Sequence, residues 1–325
     1  MNTSAMEALR ERARSGDTRA LTALGKRLLL GLGTAAAPQE GYECLTTAAA
    51  REDGEATAQL ALLAAWGVLR PHSWPEALDL LQRAAELGWA PAQRELQFLG
   101  RHDGSDWLEL RRRVDIAAWT TPPAARVLAA SPQIRAIEGF ATADECAWLI
   151  ELARRSLRRA RIYRRDADGY AEAGTRTNSE ADYTFGNADL VLRLVIERIA
   201  RATGVSSQLF EVAKLLHYEP GQQFAPHCDF QEPTTPALAR EVARRGQRVA
   251  TVLVYLNDDY DGGETEFPRI GLRHRAATGD ALLFANVRPS GDLDYDSLHA
   301  GLPPTRGVKW VLSQWIRDRP VESGA

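Results

Sequence analysis

A repeat with a period of 36 residues runs through the first hundred residues and restricts the fold of this region most strongly. The recurring positions are small or apolar: Ala20, Ala56 and Ala92; Leu24, Leu60 and Leu96; and Ala48-Ala49 with Ala84-Ala85. Alanines at fixed places let helices approach closely, and the leucines supply an apolar stripe that stacked neighbours bury together. The period therefore predicts an array of helical pairs.

Three segments of this region, residues 20–25, 42–50 and 76–88, resemble the Sel1-like branch of tetratricopeptide repeats. The resemblance implies a concave surface that binds proteins, so a protein partner or self-association through the repeats is expected. The alternative is a short array that only packs on the rest of the chain and stabilises it. No cluster of metal-ligand or catalytic residue types lies in this region, which indicates docking or assembly rather than chemistry.

Composition excludes several other classes of protein. The chain has 325 residues, enough for two domains, with a net charge of -3, so nothing global favours nucleic acid as a partner. No apolar run is long enough to suggest a membrane span or a signal peptide. The three cysteines, Cys44, Cys146 and Cys228, form no C-x-x-C pair, which argues against a disulfide framework and fits a reducing cytoplasm.

Two histidines and an aspartate suggest an iron site. On a strand, residues two apart point the same way, so His227 and Asp229 can reach one metal ion while Cys228 points to the opposite face. His299 is the candidate third ligand, and a Pro-Pro turn after it leads into an apolar strand that carries Lys309. Two imidazoles and one carboxylate form the facial triad typical of non-haem Fe(II) oxygenases.

Five segments, in order, resemble the prolyl 4-hydroxylase family of 2-oxoglutarate oxygenases: residues 216–230, 248–256, 262–268, 279–284 and 299–315. The resemblance covers about residues 131–320 and implies a double-stranded β-helix, a form of jelly roll. We therefore predict an α+β protein of two domains. A Sel1-like helical repeat domain would occupy residues 1–105, a linker 106–130, and a dioxygenase domain with flanking helices 131–320.

Local patterns predict the elements of the second domain. Thr142 and Glu145 form a capping box that starts a helix running to about Arg159, and a second helix is expected from about 188 to 202. A helical insertion is expected at 236–245, a polar lid at 166–183, and one short helix in the linker. Short β-rich runs separated by turn residues predict strands at 209–218, 224–230, 247–256, 264–267, 272–276, 281–286 and 308–316.

The resemblance also implies the cofactors and their residues: Fe(II), 2-oxoglutarate and O2, with ascorbate as reductant. Lys309 would pair with the distal carboxylate of 2-oxoglutarate, because an unpaired buried carboxylate is costly. Tyr218 and Thr251 would give hydroxyls to the same carboxylate. The candidate substrate residues are Arg176 and Asn178 in the lid, Phe224 where close relatives often carry Tyr, and Trp315, which shares a strand face with Lys309 and is equally well explained as a core residue.

The reaction implied is hydroxylation of an unactivated C–H bond of a proline-like ring, with release of succinate and carbon dioxide. The substrate would be a peptidyl proline or a free imino acid of the proline or pipecolate type. One alternative is a hydroxylase of another free amino acid or small metabolite. A different class of function is a scaffold whose oxygenase core is idle, but an intact triad together with Lys309 weighs against it.

Overall fold

The structure is a computed structural model that describes residues 3–164 and 169–320. The described residues form two compact units: those up to Thr120 together with Ala188–Leu194, and all the others. In this part of the chain no helix combines the length and the apolar character needed to cross a membrane.

The first unit is helical. Its helices are α1 (Thr3–Arg14), α2 (Thr18–Leu30), α3 (Pro38–Ala49), α4 (Gly54–Trp66), α5 (Trp74–Glu86), α6 (Ala90–Gly100), α7 (Trp107–Arg113) and α8 (Ile116–Thr120). Sequential helices from α1 to α7 pack on one another. This confirms the predicted helical repeat array.

The 36-residue period is visible in the helix ends. Helices α2, α4 and α6 start one period apart, and Asp17 and Asp53 cap the first two through hydrogen bonds from backbone N–H groups. Both helices end at a glycine in the left-handed conformation, Gly31 and Gly67. At the third position Trp89 provides no side-chain cap, so the repeat degenerates there.

The second unit is built on antiparallel strands. They are β1 (Arg126–Ala129), β2 (Ile134–Ile137), β3 (Arg158–Arg159), β4 (Ile162–Arg164), β5 (Gly169–Ala171), β6 (Ser179–Asp182), β7 (Lys214–Tyr218), β8 (Phe224–His227), β9 (Arg248–Tyr255), β10 (Asp261–Gly262), β11 (Thr265–Phe267), β12 (Leu272–His274), β13 (Ala281–Ala285), β14 (His299–Gly301), β15 (Pro304–Arg306) and β16 (Lys309–Arg317). An eight-stranded sheet has the order β1-β2-β13-β9-β16-β7-β6-β3, and a four-stranded sheet the order β12-β11-β14-β8.

The two sheets pack against each other through one apolar core. Leu216 of β7, Phe284 of β13 and Val311 of β16 come from the large sheet, and Phe267 of β11 comes from the small sheet. This arrangement of two antiparallel sheets confirms the predicted jelly-roll class. It leaves a space between the sheets at the edge where β8 and β14 pair, and the candidate site lies there.

Three helices flank the sheets: α9 (Ala143–Ala153), α10 (Leu190–Thr203) and α11 (Pro236–Arg245). The predicted capping box at the start of α9 is present, with Thr142 and Glu145 bonding each other's backbone N–H groups. Both carboxylate oxygens of Glu145 also accept hydrogen bonds from the guanidinium of Arg198 on α10, each at 2.9 Å. This buried, bidentate pair ties α9 to α10. The predicted insertion at 236–245 is helix α11.

The structure corrects three local predictions. Helix α9 ends at Ala153 and not near Arg159, because Arg158 and Arg159 form β3 and pair with β6. Strand β6 belongs to the large sheet, so the end of the predicted lid is a fixed strand. Residues 166–168 of that lid lie outside the described residues. The predicted linker contains two short helices, α7 and α8, and strand β1, where one helix was expected. The domain boundaries that the sequence predicts, at residues 105 and 130, stay a prediction.

Candidate metal centre and active site

Strand pairing brings the three predicted ligands together. Strand β14 pairs with β8 in a register that puts His299 opposite His227, and Asp229 follows β8 two residues on. The Nε2 atoms of His227 and His299 each lie 3.6 Å from a different oxygen of the Asp229 carboxylate. Among the described residues, these three are the cluster whose ligand atoms all lie within 4.8 Å of one another.

Neighbouring groups orient each ligand. The Nδ1 atoms of His227 and His299 lie 2.9 and 3.0 Å from the backbone carbonyls of Ala225 and Ser297, so each ring turns its Nε2 toward the shared centre. The Thr251 hydroxyl donates to Oδ2 of Asp229 at 2.7 Å. Hydrogen bonds of this kind, from groups that surround a metal ligand, fix its tautomer and its orientation.

Protonation states also suit a divalent metal. Burial, followed by the charge of His227, lowers the pKa of His299 to about 4, so its ring is neutral and its Nε2 lone pair is free at neutral pH. Burial alone would raise the pKa of Asp229, but the two histidines and the Thr251 hydroxyl hold it well below its usual range. Two imidazoles and one carboxylate, with His299 neutral and Asp229 ionised, therefore fit Fe(II).

Cys228 is half-buried and is not a member of this cluster, but β8 ends at His227, so strand parity does not explain its position. Burial raises the pKa of its thiol to about 11, so it stays protonated at neutral pH and is a poor metal ligand. Its side chain lines the open cleft beside the centre.

Lys309 lies at the inner end of a narrow pocket next to the metal centre. It is buried, and its Nζ donates to the carbonyl of Gly263 at 2.8 Å. The pairing of β16 with β7 puts it opposite Tyr218, and both side chains line the pocket with His227, Asp229 and His299. Burial, with the nearby charge of Arg275, lowers the pKa of Lys309 to about 7, against a weaker opposing effect of the Glu264 carboxylate.

The predicted hydroxyls differ in their positions. The Tyr218 side chain lies in the pocket, against Gly301 of β14. Thr251, in contrast, is engaged with Asp229 and accepts a hydrogen bond from Asn286 Nδ2 at 3.0 Å. A hydroxyl has one proton to donate, and that of Thr251 goes to Asp229, a candidate metal ligand. The predicted role of Thr251 toward the cosubstrate stays a prediction. Strand alternation predicts the face of β9 on which the Thr251 side chain lies. It does not predict whether the hydroxyl donates to Asp229 or to the carboxylate of a cosubstrate.

Two further residues line this pocket, and strand parity predicts the position of Ser313 but not that of Thr265. Thr265 and Ser313 are buried and line the pocket with Lys309. Ser313 lies on the same face of β16 as Lys309, so strand parity indicates it directly. Thr265 follows the Gly262-Gly263 pair within a segment that carried the family resemblance, and its hydroxyl shares a hydrogen bond of 2.7 Å with Tyr255.

Arg176 and Phe224 form a column on His227. The Phe224 ring stacks on the His227 ring with centroids 3.4 Å apart and planes 14° apart. The guanidinium of Arg176 lies over the Phe224 ring, 4.5 Å from the ring centroid. Arg176 is buried, bonds Asn178 Oδ1 at 3.2 Å and pairs with Glu180 at 2.9 Å. The predicted substrate residues Arg176, Asn178 and Phe224 are thus gathered beside one metal ligand.

An open cleft of about 820 Å³ leads to this centre. His227, Asp229, Phe224 and Trp315 line it, and Trp315 also lines the narrow pocket. Among the described residues, the buried indole Nε1 of Trp315 has no hydrogen-bond partner. Of the two predicted locations for Trp315, the structure therefore supports the border of the pocket.

Comparison with known proteins agrees with this geometry. Residues 213–317 match the model of the 2OG-Fe(II) oxygenase superfamily. The chain is 35% identical over 218 residues to probable prolyl 4-hydroxylase 9 of Arabidopsis thaliana, an alignment that spans 61% of this chain and 73% of the relative. It is 31% identical over 238 residues to probable prolyl 4-hydroxylase 10 of the same plant, across 67% of this chain and 76% of that relative.

Among solved structures, a collagen prolyl hydroxylase of Paramecium bursaria Chlorella virus-1 superposes with a TM-score of 0.44 at 25% identity, covering 57% of this chain and 95% of that one. The Arabidopsis relatives match the chain over most of their own length. The residues matched by the family model, 213–317, contain the triad and Lys309. The protein is therefore a 2-oxoglutarate-dependent dioxygenase and belongs to the prolyl 4-hydroxylase family.

Proposed function

We propose that this enzyme hydroxylates an unactivated C–H bond of a proline ring and releases succinate and carbon dioxide. The observation that carries the proposal is the pairing of a complete His-Asp-His triad with a buried Lys309 in one pocket. The prolyl 4-hydroxylase relatives favour a proline ring over other substrates.

In this proposal His227, Asp229 and His299 hold Fe(II), which supplies activation of O2 and the oxidation of the C–H bond. Lys309 binds the distal carboxylate of 2-oxoglutarate and orients the cosubstrate toward the triad. The Tyr218 hydroxyl shares that role from the facing strand. Ascorbate is proposed as the reductant that keeps the iron in its ferrous state.

Phe224, Arg176 and Trp315 would form the wall against which the proline ring packs. In this proposal the Phe224 ring, stacked on His227, places an apolar surface beside the metal centre and would limit the access of water there. Phe224 carries no hydroxyl where close relatives often have Tyr, so ring recognition here relies on packing and on the indole N–H of Trp315.

The test is incubation of the full chain with Fe(II), ascorbate and 2-oxoglutarate against two panels: proline-containing peptides and free cyclic amino acids. We expect succinate release stimulated by a member of one panel, with a mass gain of one oxygen atom on its proline ring. Stimulation only by another amino acid or metabolite would replace the proposed substrate. No stimulated turnover by an iron-loaded, folded protein would favour a scaffold.

We propose that the helical repeats dock a partner or a substrate protein, or mediate self-association. The support is the array of stacked pairs and the lack of metal-ligand clusters within its described residues.

A further inference from the structure

Asn286 follows β13 directly and carries a buried amide behind the metal centre. The residue is 0% exposed. Its Nδ2 donates to Thr251 Oγ1 at 3.0 Å, and the Thr251 hydroxyl donates to Asp229 Oδ2 at 2.7 Å. Two hydrogen bonds in series therefore connect the end of β13 with a candidate metal ligand.

The direction of these two hydrogen bonds follows from the protons available. An ionised carboxylate only accepts, so the single proton of the Thr251 hydroxyl goes to Asp229. The Thr251 oxygen is then free to accept, and the amide nitrogen of Asn286 supplies the proton. In the reverse orientation, the amide would turn its oxygen to Thr251 and compete with Asp229 for that one proton. Asn286 therefore keeps the Thr251 hydroxyl turned toward the carboxylate.

The backbone of Asn286 anchors the segment that leads to His299. Its N–H donates to the Val249 carbonyl of β9 at 2.9 Å, and its carbonyl accepts from the Asp294 N–H at 3.0 Å. The Asp294 carbonyl accepts from the N–H and the hydroxyl of Ser297, at 3.0 and 2.6 Å. The Ser297 carbonyl lies 3.0 Å from Nδ1 of His299. The same residue thus supports the groups that orient two of the three candidate ligands.

Packing alone does not explain an asparagine at this position. Within the described part of the chain, Asn286 Oδ1 is buried and has no hydrogen-bond partner. An unsatisfied buried oxygen costs free energy, whereas an apolar side chain of similar size would carry no such cost. What the amide provides here is the proton that it donates to Thr251.

We infer that Asn286 is a positioning residue for the metal centre, which fixes the Thr251 hydroxyl on Asp229 through its amide and anchors the turn before His299 through its backbone. The inference rests on the proposed function, because it assumes that the triad holds Fe(II). Hydrogen bonds to metal ligands raise metal affinity by holding the ligands in place. Substitution of Asn286 removes the amide and keeps the backbone, so it tests the contact through Thr251.

Asn286→Leu removes the donor and keeps a side chain of similar size. Fe(II) is titrated anaerobically into the full, metal-stripped chain by calorimetry, without 2-oxoglutarate. We expect the dissociation constant of Fe(II) to rise about 2- to 12-fold, the factor that corresponds to one neutral hydrogen bond. Asn286→Ala also lacks the amide and serves as the second variant if the leucine disturbs folding.

A double-mutant cycle separates this role from a general effect on packing. If Asn286 acts through the Thr251 hydroxyl, Asn286→Leu should change Fe(II) affinity by less than about twofold in a Thr251→Val chain. Thr251→Ser restores a hydroxyl, so the effect of Asn286→Leu should return in a Thr251→Ser chain. A purely structural role would give the same loss in all three backgrounds.

Asn257 offers a matched control, since it follows the other end of β9. Its Oδ1 accepts from the Trp310 N–H at 2.7 Å, and its Nδ2 donates to the Val308 carbonyl at 2.7 Å. These bonds hold the start of β16. Asn257→Leu should therefore lower the unfolding free energy, measured with denaturant, and leave Fe(II) affinity unchanged.

Two results would overturn the inference: an unchanged Fe(II) dissociation constant in folded Asn286→Leu and Asn286→Ala chains, or an equal loss with and without the Thr251 hydroxyl. A wild-type chain that binds no Fe(II) would reject the proposed function and the inference together. The expected cycle in a chain that hydroxylates no proline substrate would reject the proposed function and retain the role of Asn286.

Discussion

Replacing Lys309 by Met separates cosubstrate binding from folding. Lys309 is buried, and its Nζ has a backbone carbonyl as its hydrogen-bond acceptor. Met keeps most of the stem but removes the charge, so bound 2-oxoglutarate would leave its distal carboxylate buried and unpaired. Losing one partner of a buried charged pair costs ~2 to 5 kcal/mol. This corresponds to a rise of about 30-fold to several thousandfold in the dissociation constant of 2-oxoglutarate.

The same substitution should stabilise the cosubstrate-free protein. Burial lowers the pKa of Lys309 from 10.5 to about 7, so between these values the unfolded chain binds a proton that the folded chain does not. The contribution of Lys309 to the unfolding free energy therefore rises as the pH rises through that window. Below the window, the buried cation destabilises the folded state. Removing it should raise the unfolding free energy at pH 7 by about 5 kcal/mol at most, before the lost bond to Gly263 is subtracted.

Calorimetry of 2-oxoglutarate binding and denaturant unfolding measure the two effects. In the wild type, binding a carboxylate returns the proton to Lys309. Affinity should therefore weaken as pH rises above 7, by up to about tenfold per pH unit, and proton uptake should accompany binding. Lys309→Met should abolish that pH dependence. Unchanged cosubstrate affinity in a folded Lys309→Met protein would refute the role assigned to this residue.

Three other substitutions or truncations test the site and the domain division. Cys228→Ser should leave iron occupancy almost unchanged, and strong loss of iron measured by metal analysis would mean that the strand parity argument is wrong. Thr251→Val removes the hydroxyl that orients Asp229 and should weaken Fe(II) binding about 10- to 100-fold while 2-oxoglutarate affinity changes little; the opposite pattern would return Thr251 to the cosubstrate. A chain that starts near Pro123 should, if it folds, keep turnover of a small free substrate, and equal loss on every substrate would show that the repeats help build the active site.

The sequence predicts those parts of the site that depend on periodicity. The alternation of β16 puts Ser313 and Trp315 on the face of Lys309, and all three residues line the narrow pocket. The 36-residue period likewise predicts the helical array, because small and apolar residues recur at equivalent packing positions.

Features that depend on long-range pairing could not be predicted. The Thr251 hydroxyl binds Asp229 because two strands meet around the metal centre, and no local pattern reports that contact. Helix α9 stops at Ala153 because Arg158 and Arg159 pair with β6, which overrides their local helical preference. Arg248 and Arg317 lie far apart in the chain and share the Glu211 carboxylate only because β9 and β16 become neighbours.

Iron binding measured together with turnover tests the central claim most directly. The full chain, stripped of metal and titrated anaerobically with Fe(II) in the presence of 2-oxoglutarate, should bind one iron per chain. On admission of air and a proline substrate it should release succinate and hydroxylated product in equal amounts. His299→Ala should fold, as circular dichroism would verify, yet neither retain iron nor form product. A His299→Ala protein that binds iron and turns over like the wild type would contradict the assignment of the triad.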